Sequence, residues 1–558
     1  MKVARFLLLL ALLGSWHGCG PDARAPDLIL YNARIVTLDE HSPIVEAVAL
    51  REGIFTATGT SQEIRRLAGP ATREIDVAGS TVIPGLADNH FHSIGGGPGV
   101  DLSQARSLDE LLQTISQRAS ETPPGELIVS NSNWHEGQLR EQRLPYRADL
   151  DRAAPHHPVV LVRGGHEYIL NSAALDRWNI DENTPEPPGG RIGRDEQGHL
   201  NGELVDGAKA LVSLPRLPTP TMEERIEQLA AEHRQLNAAG LTSIRYPGAS
   251  PAFYQTLQEM KRRGVLTVRV NFLFRVPNTT KPAELEDLLT EWGQPNTGDS
   301  WLSVGGAKLG VDGGFEGGWM REPYAEPWGE NGRFRGLQTF PTENYKAIVR
   351  ALNRRGWRVA THAVGDAAID LVLDAYQEAH REKPITDRRW SIEHGFMARA
   401  DQLPRMRALG LVVSAQNHLY LAGPVLVKYW GAERAARVTP MRAYLDAGVH
   451  VSTGSDSPVV PYSPLWTLYH FITRDTISAG VMGADQRIPR ETALRLATLG
   501  NAYLTFEEHR KGSIEPGRLA DLVVLSRDIL RCREEDMEST EVLMTVVGGE
   551  VVFRHQQF

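Results

Sequence analysis

Two histidines two residues apart, His90 and His92, follow the apolar run Thr81-Val82-Ile83-Pro84-Gly85-Leu86-Ala87. In extended chain, residues i and i+2 share a face, so both imidazoles can enter one space while Phe91 turns away. Imidazole suits zinc, and two convergent rings are half of a four-ligand site. A bare His-x-His is more often a chance match with one ring solvated or structural. Further residues bear on that choice. Lys308, His362, His394 and Asp456 each stand where an apolar run meets glycine or another turn former. Neutral imidazoles bind divalent cations, and aspartate can bind a cation or take a proton from water. An ammonium group cannot ligate. Burial lowers a lysine pKa, however, and a neutral amine can add carbon dioxide to give a two-oxygen carbamate able to bridge two ions. The simpler readings of Lys308 are a partner for a substrate carboxylate or a buried pair with Asp312.

Delivering these groups to one place requires a repeating framework. From residue 221 onward, helical stretches alternate with strand-like runs, among them 268–273, 302–309, 358–362, 389–394, 411–414 and 450–456. Repeated βα units of this length predict an α/β fold, a TIM-like (β/α)8 barrel, whose active site lies at the C-terminal strand ends. The candidate residues fall at those ends. Residues 26–84 and 511–558 read as β, and neither end holds enough residues for a core alone. They are expected to build one small composite β-sandwich domain, leaving 85–510 for the barrel. Residues of about 100–220 break the βα repeat, with pieces such as Pro187-Pro188-Gly189-Gly190, and are expected to form a large insertion after the first barrel strand.

The chain has 558 residues and a net charge of −9, which leaves no basic surplus for nucleic acid or an anionic membrane. Its two cysteines, Cys19 and Cys532, exclude a disulfide framework and a cysteine-rich zinc site. Lys2, Arg5 and the apolar stretch Phe6–Leu13 resemble an export signal over residues 1–25. The Gly18-Cys19 pair resembles a lipoprotein cleavage site, with Trp16 where a small aliphatic residue is preferred. An exported protein, either secreted or held to a membrane only by an N-terminal lipid, is the expectation.

Several longer stretches resemble the amidohydrolase superfamily, and within it amidohydrolase family 3, from about residue 26 to the end. They are Pro84-Gly85-Leu86-Ala87-Asp88-Asn89-His90-Phe91-His92, Lys308-Leu309-Gly310-Val311-Asp312-Gly313-Gly314, Thr361-His362-Ala363-Val364-Gly365-Asp366, Ile392-Glu393-His394 and Gly454-Ser455-Asp456-Ser457-Pro458. The segment Gly512–Leu525 resembles the return to the composite β domain. The resemblance implies a metal-dependent hydrolase of non-peptide C–N bonds in amides, formamides or cyclic amides. His90 and His92 would hold the more buried ion, with His362 and His394 on a second. Carboxylated Lys308 would bridge the two, and Asp456 would be both ligand and general base. Zinc is the first metal expected, as one or two ions; His and carboxylate ligands also accept manganese or iron.

In the insertion, Gly165-His166-Glu167-Tyr168 also resembles the family, and His166 is a candidate for the substrate carbonyl, with a structural role as the alternative. Asn133-Trp134-His135 and Gln416-Asn417-His418 depart from the family pattern, and His418 reads as a pocket or structural residue rather than a ligand. Trp134, Tyr168, Trp319, Tyr324 and Trp328 suggest a wall for an apolar part of a small-molecule substrate. Asp312 and Asp366 fit either ligand-orienting or turn roles. Glu393 is expected to point away from His394. His233, His450, His470 and the remaining histidines lack a comparable setting. Two rivals remain: a deaminase-like enzyme with one ion, and a non-catalytic exported binding protein on the same fold.

Overall fold

The computed structural model describes residues 25–215, 218–325 and 329–558. The export signal read at residues 1–25, Cys19 included, lies outside the described residues except for Ala25, as does Trp328.

Eight strands form the central sheet: β1 (Leu86–Asp88), β2 (Leu241–Ala249), β3 (Arg269–Arg275), β4 (Leu302–Gly310), β5 (Val359–Ala363), β6 (Ser391–His394), β7 (Val412–Gln416) and β8 (His450–Gly454). They pair in chain order and every pairing is parallel. Parallel neighbours require crossovers, and helices such as Thr342–Arg354 and Asp366–Glu382 supply them. On β3, Phe272 meets Tyr254 and Phe274 stacks on Trp292, with ring centroids 5.0 Å apart in each pair. Helices covering the outside explain why these strands read as nearly unbroken apolar runs.

The two sheet edges meet beyond the ends of β1 and β8. The Asn89 amide donates to the Thr453 carbonyl (3.1 Å), the Asp456 amide donates to the His90 carbonyl (2.6 Å), and Phe91 bridges Ser457. The result is a nearly closed (β/α)8 barrel. Closure depends on Gly454, where a Cβ would lie 2.4 Å from Asp88 Oδ1 and 2.7 Å from the His90 nitrogen. Asp88 stitches the seam, accepting from the Ser455 amide (3.0 Å), the Ser455 hydroxyl (2.5 Å) and the His90 amide (3.0 Å).

Both chain ends enter one six-stranded sheet. Thr81–Pro84, which runs into β1, lies between Arg34–Val36 and Leu522–Leu525, and the C-terminal hairpin Val542–Val547 and Glu550–Arg554 extends the far side. A second, four-stranded sheet holds Leu28–Tyr31, Ala47–Arg51, Ile54–Gly59 and Arg73–Asp76. Leu30, Val48 and Phe55 pack with Val82, Leu522 and Val546 in one core. Between β1 and β2, Ile128–Val129, Val159–Arg163, Glu167–Leu170, Gly190–Arg194 and Leu200–Asp206 form a further five-stranded sheet. Its hairpin at Arg163-Gly164-Gly165-His166 reaches the C-terminal mouth of the barrel, where these residues line the central cavity.

Candidate metal centre

β1 ends at Asp88, so His90 and His92 sit on the segment just beyond it rather than within a strand. Their rings nevertheless face one space, with centroids 5.2 Å apart. His90 Nε2 lies 3.4 Å and His92 Nε2 3.1 Å from Asp456 Oδ1. His90 is buried, whereas the His92 side chain is 45% exposed. His394, at the end of β6, brings its ring within 4.7 Å of His90, centroid to centroid. One donor atom each from His90, His394 and Asp456 falls within a 4.8 Å cluster. His362, on β5, packs against His394 at 4.5 Å. Lys308, on β4, is buried with Nζ 3.5 Å from His90 Nε2. Gly248, at φ +99°, leaves room for the lysine stem, since a Cβ there would sit 3.0 Å from Lys308 Cγ. His394 (φ +72°) and Asp456 (φ +63°) both occupy left-handed backbone, a conformation that costs non-glycine residues energy and recurs at functional sites.

The tautomers suit a cation. His90 Nδ1 donates to Glu393 Oε2 (2.7 Å), and His394 Nδ1 donates to Gln416 Oε1 (2.8 Å), whose own amide is fixed on Ser414. Each leaves Nε2 as a free lone pair. His362 Nε2 instead donates to the Gly313 carbonyl (3.0 Å), which leaves Nδ1 free. Burial, reinforced by the neighbouring Lys308, pushes His90 down to about 4. Burial and adjacent imidazoles hold His362 and His394 well below the ordinary range. All three are therefore neutral at pH 7, the form that ligates. Burial alone would raise Asp456, but His90 and the hydrogen bonds from His418 and His92 keep it well below the usual carboxylate range. Burial also pushes Lys308 down to about 8. Neutral imidazoles around an ionised aspartate form the donor set a divalent cation requires.

The centre opens into a cavity walled by Trp134, Phe315, Phe396, Val364 and Val459. The Amidohydrolase family model matches residues 73–553. The chain belongs to the amidohydrolase family. It is 32% identical over 552 residues to an N-substituted formamide deformylase from Arthrobacter pascens, covering 95% of this chain and 98% of that relative. It is 27% identical over 541 residues to the putative amidohydrolase YtcJ of Bacillus subtilis, covering 94% and 99%. An uncharacterized metal-dependent hydrolase from Pyrococcus horikoshii shares its fold, with a TM-score of 0.65 at 23% identity over 91% of this chain and 99% of that one. The protein is thus a hydrolase from a family that acts on small molecules, and it carries a His/His/Asp cluster suited to metal.

Other sequence expectations resolve against this geometry. His166 lines the cavity, 5.4 Å from the His362 ring, and its Nδ1 donates to Asp206 Oδ1 (2.6 Å). Trp134 lines it too, anchored by Nε1 donating to the Val162 carbonyl (2.8 Å). Tyr168 and Trp319 do not line it. Tyr168 lies on the next strand of the insertion sheet, under Lys209, and Trp319 contributes its backbone amide to Asp312 (3.0 Å). Tyr324 is core, its hydroxyl donating to the Phe315 and Gly318 carbonyls. Glu393 does not turn away. Glu393 shares the inner face of β6 with Ser391 and meets His90 and Arg245 there, and the left-handed backbone at His394 brings the next ring to the same interior. Asp312 is held by the Val364, Gly365 and Trp319 amides, not by Lys308, and sits 3.5 Å from His362 Nε2. Asp366 pairs with Arg399. His418 donates from Nε2 to Asp456 Oδ2 (3.1 Å).

Sequence reasoning passed over Arg163, Glu136 and Glu316. Arg163 is buried and grips Glu136 through two bonds (2.6 and 2.7 Å) and Glu316 through one (2.8 Å). The available signal was the Arg-Gly-Gly-His turn between two apolar strands.

Proposed function

We propose that the chain hydrolyses a non-peptide C–N bond of a small amide, with N-substituted formamides as the first class to test because the Arthrobacter relative bears that name. The observation that carries this reading is Asp456: an ionised, largely buried carboxylate within 3.1–3.4 Å of three imidazoles, facing an aromatic-walled cavity. His90, His92, His362, His394 and Asp456 would hold zinc or a similar divalent ion, with Lys308 joining them as a carbamate. When bound, such an ion polarises a carbonyl and makes a water nucleophilic at neutral pH. Asp456 takes the proton from the attacking water and returns it to the leaving nitrogen. Burial alone would lower the His166 pKa, but Asp206 raises it above the ordinary value; as an imidazolium the ring would donate from Nε2 to the carbonyl oxygen. Burial of Lys308 favours the neutral amine that carbon dioxide requires.

A one-ion, deaminase-like centre is the second reading. The observation in its favour is that, among the described residues, the one cluster of donor atoms within a single coordination volume is that of His90, His394 and Asp456.

Metal analysis of the purified protein and of Lys308→Ala separates the two. About two ions per chain, falling to about one in the variant, supports the carbamate bridge. About one in both supports the single-ion centre, and no binding of added zinc or manganese rejects both. Asp456→Asn is expected to lower kcat/KM on any amide substrate at least about a hundredfold, the scale of a lost general base. An unchanged rate would remove Asp456 from its role.

A further inference from the structure

Glu316 lines the same cavity, and the residue is fully buried. One carboxylate oxygen, Oε2, accepts from Arg163 Nη1 at 2.8 Å. The other, Oε1, is buried and has no hydrogen-bond partner among the described residues. Arg163 has little more to give. Its remaining nitrogens hold both oxygens of Glu136 and approach His135, and Glu136 also accepts from the Tyr429 hydroxyl at 3.0 Å. One guanidinium therefore hydrogen-bonds two buried carboxylates and lies 3.6 Å from a third, Glu167, and of the two it bonds only Glu136 has both oxygens paired. A buried carboxylate oxygen without a donor is costly, and here it borders the space a substrate would enter.

Gly314, lacking a side chain, lets Glu316 and His166 pack close against its backbone. A Cβ there would stand 2.9 Å from Glu316 Oε1 and 3.0 Å from His166 Cγ and Cδ2. The oxygen and the imidazole thus lie close together on the cavity lining, which Phe315 and Phe396 share.

We propose that Glu316 is a specificity residue. Its free oxygen receives an N–H or ammonium group of the substrate, selecting amides whose apolar or aromatic part also carries such a donor. This deepens the hydrolase reading above and rests on it for the identity of the bond cleaved.

The test is calorimetric titration of the metal-loaded protein with benzamidine, an aromatic cation rich in N–H, and with acetophenone, its neutral isostere without one. A charge-assisted hydrogen bond in a buried site predicts that wild type binds benzamidine at least about tenfold more tightly. In Glu316→Gln, which keeps an oxygen for Arg163, and in Gly314→Ala, whose methyl group displaces Glu316 Oε1 without changing charge, the ratio is expected to fall to within about twofold. Gly314→Ala decides alone if the first variant does not fold. Equal affinities in wild type, undetectable benzamidine binding, or a ratio that survives in the variants overturns the proposal. The expected ratios alongside no turnover of any amide would sink the hydrolase reading and leave the recognition site standing. Turnover without the ratio does the opposite.

Discussion

His90 turns a free nitrogen toward Asp456 because Glu393 occupies its other one. Such carboxylate–imidazole pairs fix the tautomer and raise ligand basicity, and their loss typically costs ten- to a hundredfold in metal affinity. Glu393→Gln is therefore expected to weaken zinc binding by about that factor, read by competition with a chelating dye; unchanged affinity would show that Arg245 and packing suffice to orient the ring. A different histidine governs acid stability. His233 is buried on the helix Met222–Ala238 with neither ring nitrogen bonded among the described residues, and burial pushes it from 6.5 to about 4. The folded value lies below the unfolded one, so protonation favours unfolding. The stability from keeping this ring neutral is complete above pH 6.5 and declines as pH falls toward 4. Between pH 7.5 and 5, wild type is expected to lose about 2 kcal/mol more than His233→Leu, measured from urea midpoints. Parallel losses in the two proteins would show that the site admits water.

At the scale of elements, the decisive feature is how β1 meets β8. Both strands carry candidate ligands just past their ends, and Gly454 lets them approach. Gly454→Ala forces a methyl group against Asp88 and the His90 backbone. Overpacking of this kind costs about 1–3 kcal/mol. The variant is expected to melt several degrees lower and to bind metal more weakly, since the seam carries His90 and Asp456; a melt and metal affinity matching wild type would mean the strands part without cost. The hairpin of the insertion is the second such element. Its turn places Arg163 and His166 on the cavity wall, although their strand pairs with others in the insertion and none in the barrel. The histidines and Asp456 were legible because each ends an apolar run. Arg163, Glu136 and Glu316 were not, because no period in the chain marks residues that meet only when separate elements pack.

For the whole molecule, the terminal sheets and the barrel share a buried ion pair. Arg269, at the start of β3, donates twice to Asp521 (2.7 and 2.9 Å), beside the strand that pairs with Thr81–Pro84. Removing one partner of a buried pair leaves an uncompensated charge and costs about 3–5 kcal/mol. Arg269→Met is expected to lower the melting temperature of the whole chain in one transition, by calorimetry. A separate early transition would show that the terminal sheets unfold alone. Strand ends, glycine turns and βα alternation are local properties, and they sufficed to determine the barrel class and to single out His90, His92, Lys308, His362, His394 and Asp456. Only the folded chain decided that Glu393 faces His90, that His394 adopts left-handed backbone and so turns its ring to the same interior, that Tyr168 and Trp319 stand off the cavity, and that Glu316 borders it with one oxygen unpaired among the described residues. Those outcomes depend on which distant groups compete for the same space and the same hydrogen bonds, and that competition exists only once the elements are packed together.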